Sequence, residues 1–118
     1  MILVDTSIWI DYLNNSNTEL INLLKSNRVC IHPFIIGELS CGNISNRDEI
    51  LSLLKALPLV EPALEEEIFT LFDNKKLFGI GLGFLDINLI ASALIYSVKI
   101  LTYDKSLRKI AKKLDIFK

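Results

Sequence analysis

Four acidic residues, Asp5, Glu38, Asp86 and Asp104, are spread over the chain, and each stands where an apolar segment meets a turn or a helix start. Asp5 follows Met1-Ile2-Leu3-Val4 and Asp104 follows Lys99-Ile100-Leu101-Thr102-Tyr103. Both positions fall just past the carboxyl ends of short apolar strands, where open α/β sheets place their ligand crevices. Taken singly, each acid has a plainer role: Asp5, Asp86 and Asp104 as helix caps, Glu38 as a surface residue. Taken together, they suggest a cation site. Glu38 lies on a helical segment that is otherwise largely apolar, which places its carboxylate near the protein body. Asp86 sits between the apolar runs Ile80–Leu85 and Leu89–Ile95. Buried carboxylates must be paired, hydrogen-bonded, protonated or metal-bound. No basic residue neighbours Asp5, Glu38 or Asp86 in sequence, so a hard divalent cation with oxygen ligands and water is the economical partner.

Magnesium or manganese held by two or three carboxylates is the apparatus of phosphodiester hydrolysis, lowering the pKa of a bound water and neutralising the leaving oxygen. Such chemistry needs no covalent nucleophile. Thr6, Ser7 and Thr102 could bridge to metal waters through their hydroxyls, and Thr6 and Ser7 serve equally well as helix caps. Other site types fit poorly. His32 is the lone histidine and cannot build a zinc site by itself; packing or capping suits it better. Cys30 and Cys41 lack metal-type spacing and form no disulfide framework, which fits a reducing cytoplasm. Gly79, Gly81 and Gly83 do not open a helix after a strand in the dinucleotide-binding pattern, and there is no phosphate-binding GxxxxGK[ST] run.

Elements must bring these residues together. Ile2–Val4 reads as a buried strand, followed by helices from about Ser7 to Asn14 and from Thr18 to Lys25. Arg28–Ile31 returns as a strand. Pro33 starts a helix that ends at Cys41-Gly42, and Asn46–Ala56 forms another. Leu57–Val60 supplies a short or edge strand, and Pro62 opens a helix to about Asn74 with Glu65–Glu67 in its early turns. Lys75–Gly83 is a loop, Phe84–Ser97 a helix apolar nearly all round, Lys99–Thr102 a strand and Lys105–Leu114 the last helix. Ile116-Phe117 adds a final short strand. Strands separated by helices imply a parallel sheet covered on both faces, a three-layer α/β/α sandwich. With 118 residues, no repeat and no linker, residues 1–118 read as a single domain.

Hydrophobic residues make up 51% of the chain and the mean hydropathy is +0.41, a surplus that could cover a subunit interface. The formal charge is −1 and the pI about 5.8, so no global basic field marks a nucleic-acid binder. Distribution says more. Lys105, Arg108, Lys109 and Lys112 recur at three- and four-residue spacing, an ordinary solvated helix face or a ridge contacting phosphates. Leu77–Val98 is long enough to span a bilayer, but Asp86 near its middle, Asn88 and three glycines argue against insertion. The N-terminus has no basic region or cleavage site of the signal-peptide kind.

Val4-Asp5-Thr6-Ser7-Ile8-Trp9-Ile10, His32-Pro33-Phe34-Ile35-Ile36-Gly37-Glu38-Leu39, Gly79-Ile80-Gly81-Leu82-Gly83-Phe84-Leu85-Asp86 and Leu101-Thr102-Tyr103-Asp104-Lys105 occur in that order. Together they resemble the PIN-domain ribonucleases, specifically the VapC-type toxins of bacterial toxin–antitoxin pairs. The resemblance covers nearly the whole chain. It implies a PIN-like fold and a magnesium- or manganese-dependent endoribonuclease that cuts a structured RNA such as tRNA or rRNA. It also implies a small cognate antitoxin of the VapB kind and a homodimer. On that basis Asp5, Glu38, Asp86 and Asp104 carry over as the acidic quartet, Asp5 and Asp86 as direct metal ligands. Glu38 and Asp104 would act through water or activate the nucleophile, and Asn88 is left outside the set. An antitoxin arginine could satisfy the same carboxylates, while Lys75, Lys76 and the Lys105–Lys112 ridge are candidates to hold RNA. A catalytically silent PIN-like platform for protein or RNA is the alternative. An aspartyl-phosphate receiver lacks its adjacent acidic pair.

Overall fold

The computed structural model describes residues 1–118. Three parallel strands, β1 (Ile2–Val4), β2 (Val29–Cys30) and β3 (Lys99–Leu101), form a sheet in the order β2-β1-β3. Leu3 pairs with Cys30 on one side and with Ile100 on the other, which puts β1 at the centre. Successive strand residues face opposite sides of a sheet. All three residues of β1 are nevertheless buried, so helices cover both faces and the expected layering holds.

Single parallel bridges widen the sheet at each edge, Ile31 to Leu59 and Ile100 to Phe117. The short strands expected at Leu57–Val60 and Ile116-Phe117 are therefore present only as one-residue pairings. Pro58, with no N–H to donate, still offers its carbonyl to the Ile31 amide at 2.9 Å.

Seven helices surround the sheet: α1 (Thr6–Asn15), α2 (Thr18–Lys25), α3 (Pro33–Ser40), α4 (Arg47–Lys55), α5 (Glu65–Lys75), α6 (Phe84–Tyr96) and α7 (Lys105–Lys113). Ile87 to Ala93 of α6 are all buried, including Asn88 and Ser92, so this helix crosses the interior. At 13 residues it is about 20 Å long. No helix is long and apolar enough to cross a membrane.

One expected start is corrected. Pro62 does not open a helix; α5 begins at Glu65, where the Glu67 side chain accepts the Leu64 amide at 2.8 Å. The chain before it forms no helix, and Ser92 Oγ of α6 donates to the Glu61 carbonyl there at 2.9 Å. Proline's fixed φ suits an extended segment as well as a first helical turn.

Candidate functional site

Asp5 leaves the carboxyl end of the central strand and is 6% exposed. Its Oδ1 accepts the Thr6 amide at 2.7 Å. Its Oδ2 accepts the Thr102 hydroxyl at 2.6 Å and the Ser7 hydroxyl at 3.3 Å. Thr102, itself buried just past β3, has its oxygen facing the Asp104 amide, which donates to it at 3.0 Å. Asp104 in turn caps α7, accepting the Leu107 amide on Oδ1 at 2.8 Å. Two neighbouring parallel strands thus end on two aspartates joined through one hydroxyl. The sequence suggested metal waters for Thr102; the structure shows it tying carboxylate to backbone.

Asp86 joins them from α6. Its Oδ2 accepts the Gly83 amide at 3.1 Å. Burial raises its pKa, the Gly83 hydrogen bond opposes that, and the negative charges of Asp5 and Asp104 raise it further. Asp5 and Asp104 therefore act electrostatically on Asp86, although 81 and 18 residues separate them from it in sequence. Asp5 and Asp104 also serve as the N-caps that the plainer reading allowed, whereas Asp86, expected as a cap, is the third residue of α6 and reaches back to the amide of the actual N-cap, Gly83. Capping uses one carboxylate oxygen, and Asp86 Oδ1 and Asp104 Oδ2 accept no protein hydrogen bond.

Glu38 stands apart. It was expected near the protein body, but Ile35, Ile36 and Leu39 occupy the buried face of α3 and leave Gly37 and Glu38 on the solvent side. Glu38 lines a groove with Ile10, Leu13 and Asn14 of α1. No hydrogen bond links it to the aspartates, and its charge is not among those acting on Asp86.

No three acidic, histidine or cysteine side chains converge on one ion-sized point. The donor set nevertheless fits a hard divalent cation: three carboxylates, two with an uncommitted oxygen, and hydroxyls beside them. The molecule's two ion pairs, Lys99–Asp115 and Lys118–Glu19, lie elsewhere, so no protein cation neutralises this cluster.

Sequence reasoning missed the clamp beside the site. Asn17, taken for turn chemistry, is buried and caps α2 through the Leu20 amide. Its Nδ2 donates to Asp11 Oδ2 at 2.8 Å and to the Tyr103 hydroxyl oxygen at 2.6 Å. The Tyr103 amide donates to Ser7 Oγ at 3.2 Å, which pins the loop between Thr102 and Asp104 onto α1. Asn17 followed by a leucine three residues on is the one local signal of its cap.

His32 is fully buried and holds no place among the acids. Its Nδ1 accepts the Phe34 amide at 3.0 Å, which fixes the neutral ring's proton on Nε2. Burial lowers its pKa to about 4. Since the unfolded histidine takes up a proton near pH 6.5, its contribution to stability is complete above that value and is lost as pH falls toward 4. The expected slope reaches about 1.4 kcal/mol per pH unit inside that window. His32→Asn keeps a capping acceptor, so urea melts from pH 7 to 4 should show this acid-side slope in the wild type and a flatter one in the variant. Equal slopes would assign the acid loss to other groups. Cys30 is buried, with its thiol pKa raised mainly by burial, and Cys41 is exposed; both are free thiols.

The PIN domain family model matches residues 2–113. Two proteins named Ribonuclease VapC32, from Mycobacterium tuberculosis strains CDC 1551 / Oshkosh and ATCC 25618 / H37Rv, are each 39% identical over 109 residues. Each alignment spans 92% of this chain and 88% of the relative. Similarity of that extent, together with the parallel sheet and the aspartates at its carboxyl edge, places the chain in the PIN-domain family, among the VapC proteins.

Proposed function

We propose that this protein is a magnesium- or manganese-dependent endoribonuclease that hydrolyses phosphodiester bonds in a structured RNA such as tRNA or rRNA. Residues 1–118 work as one catalytic domain, the toxin of a cytoplasmic toxin–antitoxin pair. The observation that carries this reading is the cluster of Asp5, Asp86 and Asp104 at the carboxyl edge of the sheet, without a protein cation. The relatives' name, ribonuclease, supports the same class of reaction.

Asp5 and Asp86 are the direct metal ligands in this reading. Asp104 acts through water, and Glu38, from the solvent side of α3, orients or deprotonates the attacking water. When bound, the metal lowers the pKa of that water and stabilises the leaving oxygen. Thr102 and Ser7 keep the Asp5 carboxylate oriented, and Asn17 with Tyr103 keeps Asp104 beside it. A small VapB-like antitoxin silences the site by placing a basic side chain among the carboxylates, which an arginine can bridge in two-pronged fashion. Exposed Leu64, Phe69, Phe78 and Phe84 provide apolar surface for a homodimer.

Purified protein incubated with total bacterial RNA, with magnesium or manganese and with EDTA, tests the reading by mapping new 5′ ends. Metal-dependent cuts at a defined site support it. Absence of cuts by folded, antitoxin-free protein would favour the silent binding platform.

Charge repulsion gives a second handle. Asp86 carries a raised pKa, so the metal-free protein gains stability as pH falls through that value and loses it again above. Asp86→Asn should raise the metal-free Tm by a few degrees while shrinking the additional stabilisation from manganese. Thermal melts with and without manganese measure both. An unchanged manganese response would remove Asp86 from the ligand set.

A further inference from the structure

The basic ridge read from sequence divides in the folded protein. Arg108 and Lys112 turn toward the C-terminal Phe117, their charged groups 5.7 and 5.3 Å from the centre of its ring. Lys109 and Lys113 face the other way, across a groove of about 610 Å³ whose opposite wall carries Lys75 and Lys76 at the end of α5. Four exposed lysines from two distant segments therefore share one concavity. No aspartate or glutamate lines it, and none of the four belongs to an ion pair. Unpaired like charges gathered in a groove repel one another and favour a bound polyanion.

The groove also leads to the carboxylates. Its lining includes Ser106, two residues beyond Asp104 in the first turn of α7. Ser106 lies against Gly81, whose φ of +86° suits glycine, in the loop that enters α6 and leads to Asp86. From Ser106 to Lys113 the wall runs seven residues of helix, about 10 Å. A substrate phosphate approaching three aspartates meets repulsion, which cations along the adjoining strand offset.

We propose that this groove binds the phosphate backbone of the RNA strand flanking the cleaved bond, an assignment that rests on the ribonuclease reading above. Contacts of this type position the strand and carry no sequence preference. They are also strongly salt-dependent, each lost contact to a single strand reducing the slope of log K against log salt by about 0.7.

The test is binding of a short fluorescent oligouridylate to the full chain in EDTA, over a range of salt, so that no cutting occurs. Lys109→Gln/Lys113→Gln should weaken binding on the order of tenfold and lower the slope by about 1.4, the sum for two contacts. Lys112→Gln, on the Phe117 side, should leave both unchanged. Melting temperatures establish folding, and Lys75→Gln/Lys76→Gln repeats the test from the opposite wall.

Wild-type affinity and slope in both folded double variants would overturn the proposal. So would a wild type that ignores RNA and binds polyglutamate, which would assign the groove to an acidic protein partner. Metal-dependent cleavage of total RNA is scored separately. Groove-dependent binding without cleavage would discard the nuclease and keep the RNA groove; cleavage with binding indifferent to the four lysines would do the reverse.

Discussion

Asp5→Asn is expected to reduce RNA cleavage at least 100-fold while leaving a folded protein. The substitution keeps the shape and one acceptor oxygen, so the Thr6 amide retains its cap. It removes the charge at the most buried of the three aspartates and replaces an acceptor by a donor where Thr102 bonds at 2.6 Å. Replacing residues that merely support metal ligands costs about 10- to 100-fold in affinity or activity, so loss of a ligand belongs at or beyond the upper end. That loss is about 2.7 kcal/mol or more in the barrier. Initial rates on the mapped RNA site, at saturating manganese, are the measurement. Near-wild-type rates would exclude Asp5 as a ligand and undercut the nuclease reading. Asn is a better test than Ala, which would also remove the cap at a cost of about 0.5–2 kcal/mol.

Leu3→Ala should destabilise the fold by about 2–5 kcal/mol. Leu3 is fully buried and pairs with both neighbouring strands, so neither face of the sheet can collapse easily into the space left. A chain of this size has a total stability of roughly 5–15 kcal/mol, making the loss large. Urea unfolding followed by circular dichroism reads it directly. A change below about 1 kcal/mol would mean that the space refills and that β1 is not the packed centre. The two predictions separate chemistry from architecture: Asp5→Asn should lose cleavage with its melt nearly intact, whereas Leu3→Ala should lose melt first.

Much of the architecture was legible because its signals are local. Pro33 and Gly42 bracket α3, which ends at Ser40, and the leucines of Thr18–Lys25 set α2 as read. The short runs Ile2–Val4 and Lys99–Thr102 read as strands, and they form the paired β1 and β3, the latter one residue shorter, that end near Asp5 and Asp104. Pro62 misled because its preferred φ serves two structures, and the segment around it is held by a tertiary contact, the Ser92 hydroxyl on the Glu61 carbonyl, that no local pattern encodes. The edge strands shrank to single bridges because a strand's length depends on its partner's reach, which local composition does not encode.

Within the candidate site, residue types and spacing by themselves singled out the aspartates, the helix caps at Asp5 and Asp104 and the absence of a basic sequence neighbour beside Asp5 and Asp86. Tertiary structure decided which acids meet. Asp5, Asp86 and Asp104 lie near one another because two adjacent parallel strands end, and the partly exposed first turn of α6 begins, at the same edge. Glu38 faces solvent because Ile35, Ile36 and Leu39 claim the buried side of its helix. The same holds for the lysines: helical spacing joined Lys109 to Arg108 and Lys112, while packing against Phe117 and the end of α5 placed them on opposite sides. Periodicity determines which residues share a face of one element, and only the packing of several elements determines what that face meets.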